Sequence, residues 1–183
     1  VDDGSCEYQS SCDEGYAKIS AEIPEWMIDY VLTSYYIEDG DTLNYNCFYQ
    51  SDLDVLQKFI DNSVETINMN MDYNGDGIIE PLELGSQIWQ NGRLFSFTGY
   101  STQLSGKIPP EIGNLMNLNR LDLHANQLSG KIPPEIGNLV NLSQLVLSEN
   151  SLSGSIPSAI GNMVNLTYIS LGENQLSGAI PPE

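Results

Sequence analysis

Positive charge is scarce in this chain: 6 Lys and Arg face 25 Asp and Glu in 183 residues, for a formal net charge of −19. Such an acidic surface repels phosphate backbones and anionic lipid headgroups, so nucleic acid and membrane surfaces are poor partners. No apolar run approaches the roughly 18 residues of a membrane span. The chain has a single histidine, and neither a nucleophile with its base nor an acid–base pair can be named, so an enzyme is not predicted.

Cysteine is also scarce, and its placement indicates an oxidising compartment. The three cysteines (Cys6, Cys12, Cys47) all precede residue 50 and have no CxxC spacing, which fits a disulfide better than a zinc site. Three pairings are possible with one thiol left over. Cys12–Cys47 is favoured because it closes the longer segment onto the next element. Three reduced, buried cysteines of a cytosolic protein are the alternative.

The charge divides the chain into two halves. Residues 1–83 carry 19 acidic and 2 basic residues, whereas residues 84–183 carry 6 acidic and 4 basic residues. All three cysteines lie in the first half as well. We therefore predict an acidic N-terminal module over residues 1–93 and a second unit over residues 94–183.

The second half is a repeat with a period of 24 residues. Residues 103–116 (QLSGKIPPEIGNLM) return as residues 127–140 with one change at the last position, and further copies follow from Ser151 and Gln175. Leu-xx-Leu-x-Leu spacing predicts a short strand in each copy, with Asn at the following bend satisfying backbone groups. Pro-Pro-Glu-Ile-Gly predicts a helical turn that Pro begins and Gly ends.

This pattern resembles the plant-type leucine-rich repeat, LxxLxLxxNxLSGxIPxxIGNLxN. The resemblance implies an α/β solenoid with a parallel sheet on one face and helical turns on the other, capped by an N-terminal α+β module. Copies begin at about residues 94, 118, 142 and 166. The same resemblance implies a receptor ectodomain or a polygalacturonase inhibitor, a glycosidase-inhibitor-like protein that binds its partner on the concave face.

Binding residues should lie on the outward positions of the strands, which the repeat leaves variable. Stacked strands stand about 4.8 Å apart, so four of them present a concave strip about 14 Å wide. Its ligand would be a protein or a glycan. The candidate side chains are Tyr100, Arg120, Asp122, His124, Gln144, Glu149, Tyr168 and Glu173.

The first copy departs from the pattern, as expected of a repeat that meets a cap. It reads Leu94, Phe97, Gly99 and Thr102, with Thr where the later copies have Asn. Residues 52–60 (DLDVLQKFI) and 81–85 (PLELG) resemble the openings of secreted bacterial leucine-rich-repeat proteins. Residues 89–93 (WQNGR) lead directly into the first copy and are predicted to be part of the cap.

Residues 72–83 (DYNGDGIIEPLE) match the twelve-residue calcium loop of the EF-hand. Gly77 takes the sharp turn, and Ile79 is the apolar position that fixes the loop to a core. Pro81 and the absence of a second loop favour a structural site over a sensor. The predicted cofactor is calcium, and its ligands are Asp72, Asn74, Asp76, Ile78 (through its carbonyl), Glu80 and Glu83.

Two Asn-x-Ser/Thr sequons begin at Asn141 and Asn165, one period apart, so any glycans would line one flank of the solenoid. The alternative is that the repeat itself demands Asn there, because Asn117 fills the same place without a sequon.

The sequence ends at Glu183 in mid-repeat, which should expose the edge of the last coil. Either further residues or another surface would cover that edge, and a neighbouring copy's N-terminal module would do so head to tail. We therefore predict a secreted or cell-surface binding or adhesion module stabilised by calcium. The alternative is a structural subunit that assembles with copies of itself into an extracellular fibre.

Overall fold

The computed structural model describes residues 47–73 and 75–181, together with the backbone of the short strand at residues 16–18. The predicted Cys12–Cys47 disulfide and Asn74 lie outside the described residues. In the described part the helix α1 spans Gln50–Asn62, and 3-10 helices span Met69–Met71, Pro81–Glu83, Pro110–Asn114, Pro134–Asn138 and Ser158–Asn162. The strands are β1 (Tyr16–Lys18), β2 (Cys47–Tyr49), β3 (Ser86–Gln90), β4 (Arg93–Thr98), β5 (Ser105–Lys107), β6 (Arg120–Asp122), β7 (Gln127–Gly130), β8 (Gln144–Val146), β9 (Ser151–Gly154), β10 (Tyr168–Ser170) and β11 (Gln175–Leu176).

The strands of successive repeats form the predicted parallel sheet, in the order β10-β8-β6-β4-β3. Its register advances by 24 residues per strand, so Ser96, Arg120, Gln144 and Tyr168 stand side by side. The α/β solenoid is therefore confirmed. The fifth strand, β3, was not predicted: it pairs antiparallel with β4 and covers the edge of the sheet.

A second sheet, also not predicted, runs along the neighbouring face in the order β11-β9-β7-β5. It is built from the Leu-Ser-Gly segments, which are too short and too rich in glycine to indicate a strand on their own. Gly106 and Gly130 adopt φ angles of 70° and 75°, in the left-handed region that favours glycine. The strand in each copy thus depends on its neighbours.

The 3-10 turns of the first two copies begin at the predicted prolines and the third begins just after Pro157, but glycine does not end any of the three. Gly113 and Gly137 lie inside the turns Pro110–Asn114 and Pro134–Asn138. A Cβ atom on Gly137 would lie 2.3 Å from the carbonyl oxygen of Ala159 in the next coil. Glycine is required here because neighbouring coils approach too closely for any side chain.

The asparagines at the bends bond two coils at once, as the repeat predicts. Nδ2 of Asn126 donates to the carbonyl of Leu123 in its own coil (3.0 Å) and to that of Gly99 in the preceding coil (2.7 Å). Its Oδ1 accepts the N–H of Leu104 (2.9 Å). Asn150 and Asn174 make the equivalent bonds. Thr102 takes the place of Asn in the first copy: its Oγ1 donates to the carbonyl of Gly99 in its own coil (2.8 Å) and lies 3.4 Å from Oδ1 of Asn126 in the next coil.

The hydrophobic core is continuous from the N-terminal module into the repeats. From Leu94 to Leu152 the columns of Leu and Ile in the solenoid are buried, and α1 adds Val55, Leu56 and Phe59 to the same cluster. Phe59 meets Phe97 of the first copy at 6.1 Å between ring centroids, and Phe48 meets Trp89 edge to face at 4.9 Å. The cap and the first coil therefore share one core, which spans the predicted boundary at residue 93.

A buried ion pair joins the cap to the first coil. Nε and Nη2 of Arg93 each donate to the carboxylate of Asp52 at 2.9 Å, and the N–H of Leu94 donates to the same carboxylate. Asp52 is fully buried, and the Arg93 guanidinium also lies 4.0 Å over the ring of Tyr49. Both ion-pair partners lie in segments that mark the cap in the sequence.

The cap also covers the edge of the second sheet. Oγ of Ser63 accepts the N–H of Ser105 (2.9 Å), Oγ1 of Thr66 donates to the carbonyl of Gln103 (2.8 Å), and Nδ2 of Asn62 donates to that of Lys107 (3.1 Å). Residues at the end of α1 and just after it thus bond to backbone N–H and C=O groups of β5 and of the turn before it. Without the cap these groups would be exposed to water.

Candidate functional site

Four of the predicted concave-face residues form one cluster along β6 and just beyond the ends of β4 and β6. The carboxylate of Asp122 accepts a hydrogen bond from Nη2 of Arg120 (3.0 Å). Its other oxygen lies 2.7 Å from Nδ1 of His124. The His124 ring is stacked on Tyr100, with centroids 5.1 Å apart and planes 5° from parallel. We call Tyr100, Arg120, Asp122 and His124 the concave cluster.

Asp122 organises this cluster and offers little surface of its own. The residue is only 5% exposed, whereas Tyr100 is 55% exposed. Burial on its own raises the pKa of the Asp122 carboxyl, but the hydrogen bonds from His124 and Arg120 outweigh that effect and hold the pKa below its usual value. The anionic carboxylate therefore fixes the orientation of two side chains that a ligand can reach.

The other predicted residues lie further along the solenoid. Gln144 and Tyr168 continue the column of Arg120, and Tyr168 is 54% exposed. Glu149 and Glu173 lie at the bends after β8 and β10 in the left-handed conformation, with φ of 56° and 52°. They are exposed and stand beyond the ends of the strands, at the rim of the concave strip.

Sequence reasoning missed Ile88, which extends the same column across β3. It pairs with Ser96 and is 37% exposed, between the buried side chains of Gln87 and Trp89. Its burial alternates, but Ser-Gln-Ile-Trp-Gln does not alternate apolar and polar residues, so the sequence carries no periodic signal for this strand. With β3 the concave strip is five strands wide, which at about 4.8 Å per strand is roughly 19 Å.

The predicted calcium loop closes on itself through its first and last acidic residues. The Asp72 carboxylate accepts the N–H groups of Gly75 (2.7 Å) and Gly77 (2.8 Å). The Glu83 carboxylate, 4% exposed, accepts the N–H groups of Tyr73 (3.0 Å) and Glu80 (3.2 Å). These bonds bring the two ends of the loop together.

Three further positions of the loop are described. Gly77 has a φ of 87°, Ile79 is 3% exposed in the core, and Ile78 is 62% exposed. Among the described residues no three His, Cys, Asp or Glu side chains converge closely enough to hold a metal ion together. The predicted ligand set also draws on a backbone carbonyl and on Asn74. Its oxygen donors are of the kind that calcium prefers.

The two sequon asparagines are exposed and hold the preceding coil. Nδ2 of Asn141 donates to the carbonyl of Met116, and Nδ2 of Asn165 donates to that of Val140, both at 2.8 Å. The repeat therefore uses these amides structurally. Glycosylation at Asn141 and Asn165 stays a prediction.

The stacked coils with their parallel sheet and 3-10 turns have the architecture of a leucine-rich-repeat solenoid. Residues 116–176 match the family model described as Leucine rich repeat. No curated protein sequence matches the chain. In the part of the chain that the structure describes, no helix combines the length and the apolar character needed to cross a membrane.

Solved structures with the same fold come from plant receptors. The PEPR1–AtPEP1 structure is 28% identical with a TM-score of 0.62, and the match covers 72% of this chain and 19% of that one. The leucine-rich-repeat ectodomain of the receptor kinase SOBIR1 from Arabidopsis thaliana is 28% identical with a TM-score of 0.54, covering 72% of this chain and 71% of that one. The ectodomain of GASSHO1/SCHENGEN3 from Arabidopsis thaliana, in complex with CASPARIAN STRIP INTEGRITY FACTOR 2, is 27% identical with a TM-score of 0.53, covering 69% and 19%.

The chain is short beside most of these proteins. It spans between 14% and 19% of the length of the first four solved chains that it matches. The similarity therefore concerns a few coils and their cap.

Proposed function

We propose that this protein is an extracellular or cell-surface recognition module that binds an extended segment of a protein ligand on its concave strip. The observation that carries the proposal is the concave cluster, in which a buried carboxylate holds Arg120 and His124 and the His124 ring stacks on the exposed ring of Tyr100. Preoriented aromatic and arginine side chains are the residue types that dominate binding energy at interfaces. Binding rather than catalysis is the role of these residues.

The size of the strip favours a peptide segment over a globular partner. A stable protein interface buries about 800 Å² on each side. A strip roughly 19 Å wide offers less than that, but it accommodates a few extended residues between the exposed rings of Tyr100 and Tyr168. The GASSHO1/SCHENGEN3 structure, named as a complex with CASPARIAN STRIP INTEGRITY FACTOR 2, supports the binding of a partner by such a module.

A random linear-peptide display library panned against the protein tests this proposal. Enriched peptides should bind at least about tenfold more weakly to Tyr100→Ala and to Tyr168→Ala, because each truncation removes an aromatic anchor. Val164→Ala is the matched control, since Val164 is 82% exposed and lies outside the concave strip. Peptides that bind both tyrosine variants as tightly as the unchanged protein would overturn the proposal.

We also propose that residues 72–83 hold a calcium ion that stabilises the cap. Asp72, Asn74, Asp76, Glu80, Glu83 and the carbonyl of Ile78 would be its ligands. Support comes from the oxygen donors and from the closure of the loop by Glu83. A bound cation would offset part of the acidic charge of the N-terminal half.

The melting temperature in calcium and in chelator tests the calcium site. With a dissociation constant of about 10⁻⁴ M, about 10 mM calcium should stabilise the folded state by roughly 2.7 kcal/mol. Asp72→Asn with Glu83→Gln should remove this dependence, whereas Glu65→Gln with Glu111→Gln removes the same charge outside the loop and should preserve it. Equal melting temperatures of the unchanged protein in calcium and in chelator would contradict the proposal.

Self-association is a second candidate function, because the coil after Ser158 is the least buried of the repeats. Ile169 is 43% exposed and Ile180 is 83% exposed, whereas the corresponding Leu145 and Ile132 are buried. An N-terminal module of a second copy on this edge would give a head-to-tail contact that propagates. Sedimentation at increasing concentration should then show a growing particle, and a monomer throughout the range would exclude assembly.

A further inference from the structure

A second groove lies at the opposite edge of the concave sheet, where the strands begin. It has a volume of about 510 Å³, within the range of small-ligand sites. Gln90 and Phe95 line its start, and the columns that follow are Asn117, Asn141 and Asn165, and Asn119 and Ser143. We call these seven residues the amide groove, and we propose that it binds a neutral oligosaccharide, separately from the ligand of the concave strip.

Hydrogen bonds within the repeat hold three of the groove's amides in fixed positions. Asn141 and Asn165 each use an N–H to bind the preceding coil. Asn119 donates to the carbonyl of Asn141 at 3.2 Å and accepts the hydroxyl of Ser143 at 2.9 Å. An amide carries two N–H donors and an oxygen with two lone pairs, so each held side chain keeps donors or acceptors for a ligand. A ligand would therefore meet a preorganised row of polar groups.

The chemistry of the lining selects a neutral polyol. None of the described residues that line the groove is charged, although the protein as a whole carries −19. Sugar hydroxyls both donate and accept hydrogen bonds, as amides do. Phe95, half-buried, supplies an aromatic surface against which the apolar face of a sugar ring can pack. The lining offers no second apolar side chain, so it lacks the pockets that peptide side chains require.

The shape of the groove fits a linear chain of sugars. Its lining residues come from β3, β4 and the segments that precede β6, β8 and β10, so the groove runs along the solenoid axis. Five strands at about 4.8 Å give a length of roughly 19 Å. Similar side chains recur at each step, which matches a ligand that is itself a repeat.

Titration calorimetry with cellohexaose and mannohexaose, on protein made in bacteria so that no N-glycan is attached, tests this site. At least one of these neutral oligosaccharides should bind, with an affinity that salt does not change because no charge is involved. Gln90→Ala with Asn117→Ala should weaken binding about tenfold, since both side chains are exposed and offer several hydrogen bonds. Gln127→Ala with Gln175→Ala removes two exposed amides from the second sheet and should leave binding unchanged.

Four outcomes would overturn the proposal. One is no heat of binding with either neutral oligosaccharide at millimolar concentration. Another is equal binding by the groove variant and the unchanged protein, with melting temperatures that show both to be folded. The third is an N-glycan at Asn141 or Asn165 in the intact mass of the native protein, because that glycan would itself fill the groove. Binding lost only in Tyr168→Ala would likewise assign the sugar to the concave strip and overturn it.

Discussion

The first coil and the coil of Ile169 carry the same repeat but differ in burial. At the first coil, β3 covers one sheet, residues 62–66 cover the other, and α1 covers the 3-10 turn, so Phe97 and Leu104 are fully buried. In the last coil Ile169 is 43% exposed, and no residue of the turn Ser158–Asn162 is buried. Burial in a solenoid is thus a property of the neighbour as much as of the residue, which is why stability sums over interfaces.

The largest expected effect tests this difference within one column. Leu145→Ala removes a fully buried side chain and should lower the free energy of unfolding by about 3 kcal/mol, because it leaves a cavity between two coils. Ile169→Ala, one coil further on, should cost less than about 1 kcal/mol. Urea unfolding of both variants gives the comparison. Equal losses would mean that Ile169 is covered in solution.

The buried ion pair between the cap and the first coil is the second test of why the first coil is better buried. Arg93→Ala leaves the fully buried carboxylate of Asp52 without its cation and should cost about 3 kcal/mol in urea unfolding. Arg120→Ala is the matched control: the Arg120 side chain is 45% exposed, so its ion pair with Asp122 should contribute less than about 1 kcal/mol. A similar, small loss in both variants would show that the buried pair does not hold the cap.

Glycine substitutions test how closely the coils approach each other. Gly137→Ala places a Cβ atom 2.3 Å from the carbonyl oxygen of Ala159, and separating the two coils should cost about 2 kcal/mol. Gly172→Ala meets no atom within 4 Å and should change stability by less than about 0.5 kcal/mol. Thermal melts of both variants measure the difference. A neutral Gly137→Ala would imply that the turns can move apart without loss.

Lowering the pH should have the smallest effect on stability. The effect should come from Asp122, which lies one coil beyond the first. The pKa of Asp122 is lowered in the folded state, so its contribution to stability is complete above the unfolded pKa of about 3.9. That contribution is lost as the pH falls through the lower folded pKa. Melting temperatures from about pH 5 to about pH 2 should fall less steeply for Asp122→Asn than for the unchanged protein. Ser170→Ala, in the same column at the far end, should follow the unchanged protein.

The 24-residue period was enough to predict the features that the repeat itself controls. Features that depend on contacts between adjacent coils were not predicted. The parallel sheet, the buried Leu and Ile columns and the bend asparagines follow from the 24-residue period alone. The second sheet does not, because its strands contain glycine and form only against adjacent coils. Likewise Gly113 and Gly137 have the sequence context of helix ends, yet their role is close contact between coils.

The candidate site divides in the same way. The 24-residue period is enough to predict which residues lie on the concave face. The stack of Tyr100 on His124 and the burial of Asp122 depend on contacts between two coils, which the period does not predict. Ile88 was missed because β3 belongs to no repeat. The amide groove was missed because its asparagines already had a structural explanation.

The bend asparagines have a consequence for how such proteins grow. Asn126 and Asn150 each bond their own coil and the one before it through the same set of atoms, so every internal coil presents matching faces to both neighbours. An in-frame gene duplication of one period would insert a coil that fits at once, whereas an insertion of any other length would place the asparagine out of reach of its partners. The near-identity of residues 103–116 and 127–140 is what such a duplication leaves behind. Adding coils in this way lengthens the concave strip and leaves the existing coils unchanged, so natural selection can act on the length of the binding surface.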